Sequence, residues 1–289
     1  MSPSQFAAFF ASSAQPLAVI LGTNEIASAV AARLRRAKFS VILSHDPFTP
    51  VIRRGMAFHD ALFDDHANVD GVMGLRAETA LEIAHCVASD MCVAVTPLQM
   101  SDLLALRRID VLVDARINTN CVTPDFRFYV GLAVGIGPNF HVGENCDIAV
   151  ETQPHASGKI VEVGATEQHE AGSSLLGGVG EERFVHAGTD GLWHTALEIG
   201  TRVFRGLSIG NLNGVSAVAP IDGVLRGLVR DGTFAPSGAK LLEIDPRGRR
   251  AQWTGVDARE RSIADAALQA IRQAQKRRKR VPHPVRTVA

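Results

Sequence analysis

The chain has little cysteine for its length: four residues in 289, Cys86, Cys92, Cys121 and Cys146, none in a C-x-x-C pair. That argues against a zinc ribbon or a disulfide framework and points to reduced thiols in a cytoplasmic protein. No apolar run reaches the roughly 18–20 residues that a bilayer crossing needs. The start, Met1 to Leu21, lacks a basic leader and runs straight into strand-like sequence, so no signal peptide is read there. The histidines show no H-x-x-x-H or H-E-x-x-H spacing, and there is neither a G-x-S-x-G elbow nor a Walker loop. Net charge is also absent, with 30 basic and 30 acidic side chains, but it is unevenly spread. Seven basic residues and no acidic one follow from Arg272 onward, which leaves −7 (23 basic, 30 acidic) on residues 1–271. An acidic body disfavours nucleic acid as a partner, and the basic end reads as a solvated tail.

What is present is 46% apolar residues, enough for a folded core of one large or two ordinary domains. The first segment alternates strand and helix patterns. Leu17–Leu21 is an apolar run closed by Gly22, and Asn24 is placed to cap a helix whose Ile26, Val30 and Leu34 share one stripe. Further strands are expected at Phe39–Leu43, Met91–Val95 and Val111–Val113, with a helix over Glu78–Ser89. Strands separated by helices predict a parallel, Rossmann-like sheet over residues 1–128. Residues 129–184 read as connecting strands and a glycine-rich stretch containing Gly172, Gly177, Gly178 and Gly180.

An internal repeat follows. Ala187, Asp190-Gly191, Gly200-Thr201 and Gly206 recur at Ala219, Asp222-Gly223, Gly232-Thr233 and Gly238, each pair 32 residues apart (222 − 190). Asp-Gly turns between short strands predict a pseudo-symmetric β sandwich over residues 185–250, patterned like the barrel-sandwich hybrid of biotinyl and lipoyl carriers. The joining segment Asn211–Ser216 has no lysine to acylate, so neither biotin nor lipoate is expected, and the unit reads as a support or docking module. Residues 251–289 are read as a helix begun by a Ser262–Asp265 capping box, and then the tail.

Four constellations could carry chemistry. The turn Gly22-Thr23-Asn24 keeps the first glycine of a dinucleotide fingerprint and loses the middle one. Arg53-Arg54 could clamp an anion, or one of them could be solvated. Asp114 and Arg116 sit at a strand mouth, where open sheets bind ligands, and could equally be a structural pair. Gly135 and Gly137 could wrap an anion with backbone N–H groups, with His141 nearby.

Taken together, the sequence resembles the selenium-dependent molybdenum hydroxylase system proteins, relatives of the xanthine dehydrogenase accessory proteins. The resemblance rests on Gly22-x-x-Glu25-Ile26-Ala27-Ser28, Arg53-Arg54-x-x-Ala57-Phe58, Val113-Asp114-Ala115-Arg116, Gly135-Ile136-Gly137-Pro138-x-Phe140 with Glu151-Thr152, and Ala219-Pro220-Ile221-Asp222-Gly223-Val224 running to Asp245-Pro246-Arg247-Gly248. It departs at Thr23-Asn24, where family members usually carry Ala-Gly, and at Asn139, where they usually carry glycine. What the resemblance implies is an accessory role toward a molybdenum-hydroxylase client enzyme. An anionic cofactor, molybdopterin-type or nucleotide, would lie among Gly22, Asn24, Arg53, Arg54, Asp114, Arg116, Gly135 and Gly137. An NAD(P)-dependent oxidoreductase and a non-catalytic interaction scaffold are the competing readings, and a homo-oligomer is possible.

Overall fold

A computed structural model describes residues 15–88, 92–118, 122–168 and 173–280, with the side chains of 278–280 excepted. Cys121, Gly172, Arg286 and the end of the tail lie outside the described residues.

The alternating pattern of the first segment builds strands β1 (Leu17–Leu21), β2 (Ser40–Ser44), β3 (His66–Val69), β4 (Val72–Arg76), β5 (Cys92–Thr96) and β6 (Val111–Asp114). Between them lie helices α1 (Glu25–Arg36), α2 (Ala61–Asp64), α3 (Ala80–Ala88) and α4 (Met100–Leu104). The sheet does not stop at residue 128. Strands β7 (Ala133–Ile136), β8 (Ile148–Val150) and β9 (Ile160–Val161) extend it to nine strands in the order β3-β4-β5-β2-β1-β6-β7-β8-β9. All neighbours are parallel except the outermost pairs, β3–β4 and β8–β9. The chain leaves β1 toward β2 and later resumes on its other side at β6, so the strand order reverses between β1 and β6.

Strand β1 shows how the sheet acquires two cores. Ala18 and Ile20 face one side; Leu17, Val19 and Leu21 face the other. The second side is covered by α3 and α4 through Ile83, Ala84, Val87, Met100 and Leu103. The first is covered by α1 and by the last helix, α5 (Ala258–Arg280), whose Ile263, Ala267, Leu268 and Ile271 are all buried against it. The C-terminal helix therefore returns across the sandwich to close the α/β core. It also starts a turn earlier than the Ser262–Asp265 pair implies. That pair lies inside the helix, and Asp265 binds Arg33 of α1 at 2.5 Å.

Residues 184–245 form two four-stranded antiparallel sheets. Strands β10 (Phe184–His186), β17 (Lys240–Asp245), β15 (Gly223–Leu228) and β12 (Arg202–Val203) make sheet one, in that order. Strands β14 (Val215–Val218), β13 (Ser208–Leu212), β11 (Gly191–His194) and β16 (Phe234–Ala235) make sheet two. A shift of 32 residues maps sheet one onto sheet two strand by strand (234 − 202), so each sheet draws strands from both repeats.

The hydrogen bonds obey the same shift. Gly200 N–H donates to Leu225 and Gly232 N–H to Trp193; Gly206 N–H donates to Ala219 and Gly238 N–H to Ala187. The Asp222 carboxylate accepts from Arg205 N–H and that of Asp190 from Ser237 N–H, both at 2.7 Å. All four of these glycines have positive φ, between 75° and 91°, a conformation L side chains adopt at a cost. The sequence repeat thus records the turn chemistry of a duplicated β unit. No described helix is long and apolar enough to cross a membrane.

Candidate functional site

Parallel strands deliver their C-terminal ends to one edge of the sheet, and ligands of open α/β sheets bind where the strand order reverses. Here that is the crevice between β1 and β6. Gly22, Thr23 and Asn24 leave β1; His45 and Asp46 leave β2; Ala115, Arg116 and Asn118 leave β6; Gly137 and Asn139 leave β7; Glu151 and Thr152 leave β8.

These loops are tightly interlocked. Gly22 has φ 103°, and a Cβ there would lie 3.0 Å from the Ala115 carbonyl oxygen. Asn24 Nδ2 donates to that same carbonyl at 2.8 Å, while its Oδ1 accepts from Ile26 N–H and Ala27 N–H. The free N–H groups of the α1 N-terminus, which a pyrophosphate would use, are therefore already capped by Asn24. A Cβ on Gly135 would overlap the Phe140 ring, and one on Gly137 would press on Ile117, so both glycines serve loop packing. Asp114 and Arg116 form a two-pronged ion pair, Nε to Oδ1 at 2.9 Å and Nη2 to Oδ2 at 2.6 Å. Of the eight residues read from the sequence, Gly22, Asn24, Asp114, Arg116, Gly135 and Gly137 lie on the β1, β6 and β7 ends.

Arg53 and Arg54 are used otherwise. The Arg53 guanidinium grips Glu243 of β17 with Nε to Oε2 at 2.7 Å and Nη2 to Oε1 at 3.2 Å, and reaches Glu25 of α1 at 3.1 Å and Glu260 of α5 at 3.5 Å. Burial alone would lower its pKa, but Glu243, Glu25 and Glu260 together hold it above the ordinary value. Glu243 is fully buried and also accepts from Arg183 Nε at 3.0 Å, with Arg226 Nε at 3.6 Å. Burial pushes the Glu243 carboxyl up, and Arg53 foremost brings it below its usual range. Arg54 donates to the Leu228 carbonyl at 2.8 Å and pairs with Asp60 at 2.6 Å. Both arginines thus bind the sandwich to the α/β unit, where the spacing suggested an anion clamp.

Sequence reasoning missed a histidine pair beside the first turn. The Thr23 hydroxyl lies 2.9 Å from His59 Nδ1 and 3.4 Å from His45 Nδ1, and the two rings are 5.3 Å apart. One hydroxyl carries one proton, so it donates to one ring and accepts from the other. Burial, then the His45, Arg54 and Arg230 side chains, depress the His59 pKa to about 3; burial also lowers that of His45, against the pull of Asp46. Both imidazoles are neutral at neutral pH and offer hydrogen bonds without charge. Asp46 accepts from Asn118 Nδ2 at 3.3 Å across the mouth of β1. The available signal was the position of His45-Asp46 just past a strand; His59 had none, since only folding brings it there.

The buried neutral His59 gives a test of the site's electrostatics. The unfolded chain takes up its proton near the ordinary imidazole value of 6.5, the folded one near 3, so the contribution is complete above pH 6.5 and lost as pH falls toward 3. In urea titrations the wild type is expected to lose stability below pH 6 by up to about 1.4 kcal/mol per pH unit more than His59→Asn. Equal slopes would place a protonated imidazole in the folded state.

No protein-family model matches the chain. The product-bound ectoine utilization protein EutE (DoeB) from Ruegeria pomeroyi overlaps 80% of this chain and 85% of that one at 13% identity, with a TM-score of 0.25, from which neither fold nor activity carries over. The chain is 30% identical over 260 residues, 90% of its length, to the uncharacterized protein YqeB of Escherichia coli strain K12, and covers 48% of that protein, so it spans about half the length of this relative.

Proposed function

We propose that the chain is an accessory protein of a molybdenum-hydroxylase-type enzyme system, acting in the cytoplasm, with a Rossmann-like unit that binds a small cofactor and a lysine-free barrel-sandwich hybrid that supports it. The residue stretches shared with that accessory family support the system. The convergence of Thr23, His45, Asp46, Asn118 and Arg116 at the reversal point of the sheet is the observation that carries the binding site.

The chemistry of this set narrows the ligand class. A carboxylate, an amide and neutral imidazoles recognise the donor–acceptor edge of a heteroaromatic base, and an attached phosphate would meet Arg116 by sharing its guanidinium with Asp114. A pterin- or guanine-type ligand meets both demands. A dinucleotide held with its pyrophosphate on α1 does not fit, because Asn24 caps that terminus and Glu25 adds a negative charge beside it. The oxidoreductase reading is therefore the weaker one.

Mass spectrometry of small molecules released from natively purified protein, followed by calorimetric titration with molybdopterin, GMP and AMP, tests this proposal. Molybdopterin or GMP is expected to bind, AMP at least tenfold more weakly, and Asp46→Asn and Arg116→Ala each to weaken binding at least tenfold. Absent binding, or affinities unmoved by both substitutions, would sink it.

A further inference from the structure

The two sheets of the sandwich are images of each other, yet their outer faces meet different fates. Sheet one is covered by the α/β unit. Residues 51–55 run across it: Leu228 N–H donates to the Ile52 carbonyl at 2.8 Å, Arg54 returns a bond to the Leu228 carbonyl, Ile52 packs on the sandwich core, and Arg53 seats on Glu243. An aliphatic-arginine segment, bent at Ile52 and entering a single 3₁₀ turn at Arg54, is thus held by the backbone N–H and C=O of one residue and by one carboxylate.

The same place on sheet two is a groove of about 640 Å³, lined among others by His194, Ala196, Gly210, Asn211, Ser216 and Asp231. Shifted by 32 (228 − 196), these are Arg226, Leu228, Leu242, Glu243, Phe184 and Ile199 of the covered face. Ala196 stands where Leu228 does, is exposed, and its peptide group makes no hydrogen bond among the described residues. Alanine in place of Leu228 leaves less side chain there, while the room given up at Gly210 is taken by the Trp193 ring. The same face carries exposed apolar side chains: Leu192 is 44% exposed, whereas Val224 at the matching position is 9% exposed, and Val218 and Phe234 are exposed as well.

The charge has moved as well. The arginine of the covered face, Arg226, becomes His194, and Ile199 becomes Asp231, so the formal charge of the groove lining is the Asp231 carboxylate.

We propose that this groove on sheet two receives a short segment of a partner protein carrying an aliphatic residue next to an arginine or lysine, bound through the backbone of Ala196 and the Asp231 carboxylate. The segment is the counterpart, on the second sheet, of residues 51–55 on the first. Hydrogen bonds to the Ala196 backbone supply affinity, and the aliphatic contact and the carboxylate supply selectivity.

The test uses the full chain and a fluorescent peptide copying residues 48–55, Phe-Thr-Pro-Val-Ile-Arg-Arg-Gly, with a scrambled peptide of equal charge as control. Anisotropy is expected to show one saturable site, at least fivefold weaker in Asp231→Asn and at least tenfold weaker in Ser216→Arg, and at least fivefold weaker for the scramble. Ser216 is an exposed strand position, so its variant keeps the fold, which circular dichroism verifies. No binding at millimolar peptide, or binding equal in both variants or for the scramble, overturns the proposal. Sedimentation showing self-association abolished by the same substitutions would overturn it in favour of a second copy as the occupant.

Discussion

Replacing Glu243 by alanine is expected to cost about 3–5 kcal/mol of folding stability, because breaking a buried ion cluster from one side strands its counter-charges. Glu243 has no solvent contact, and three guanidinium groups, Arg53, Arg183 and Arg226, point at it. In its absence Arg53 retains Glu25 and Glu260, and Arg226 retains Asp257 and the Gln252 carbonyl. Arg183 keeps the carbonyls of Ser174, Val179 and Gly180 and the face of the Phe184 ring, with no carboxylate among these, and so bears the largest uncompensated charge. Glu243→Gln is expected to recover a minor part, since an amide oxygen still accepts one bond.

The pH dependence has a definite sign. The folded Glu243 pKa lies below the ordinary carboxylate value of 4.5, so its contribution is complete above that value and disappears as pH falls through the lower, folded one. Urea unfolding of wild type and variant at pH 7 and pH 3.5 measures both effects. A loss under 1 kcal/mol at pH 7 would mean that the sandwich is not held to the sheet by this cluster.

Trp193→Ala is expected to cost about 3–5 kcal/mol, at the upper end of large-to-small core changes. The indole is fully buried in the sandwich core, and its Nε1–H donates to the Val229 carbonyl at 3.1 Å, an acceptor that the truncation orphans. Its size is matched by a glycine: a Cβ on Gly210 would run into the Trp193 ring. At the symmetry-related positions the pair is Leu225 and Leu242, so one sheet fills the space with a large and a vanishing side chain, the other with two of medium size. Gly210→Leu alone is therefore expected to be strongly destabilising, and Trp193→Leu combined with it to be less damaging than the sum of the two. Denaturant midpoints of the two single variants and the double one give the coupling; strict additivity would refute this account of the packing.

The parts of the fold legible in the sequence were those fixed by local or periodic chemistry. Leu17–Leu21 with Gly22 and Asn24 announced a strand, a tight turn and a capped helix, because each acts within a few residues. The 32-residue repeat was readable because Asp190 and Asp222 make the same turn twice. The fate of Arg53 was not readable: its main partner, Glu243, lies 190 residues away (243 − 53), and nothing local distinguishes an arginine awaiting a ligand from one awaiting a distant carboxylate. The extension of the sheet by β7 to β9 was hidden for a related reason. Strands of two to four residues carry too little periodicity to show which sheet they join. Thr23, His45 and His59 formed no sequence motif, since their juxtaposition depends on the turn after β1 meeting residues that follow β2.

The return of α5 to the α/β core bears on the order of events during synthesis. The sheet is translated first, but part of its covering is the last stretch described, so until the ribosome has released that stretch Val134, Ile148 and Val150 of β7 and β8 have an apolar surface without a lid. The sandwich, complete at Asp245, has all eight of its strands before the first-made unit has its final helix. Maturation therefore runs from the middle of the chain outward, and nascent chains halted short of residue 258 should attract chaperones through the sheet and not through the duplicated β unit.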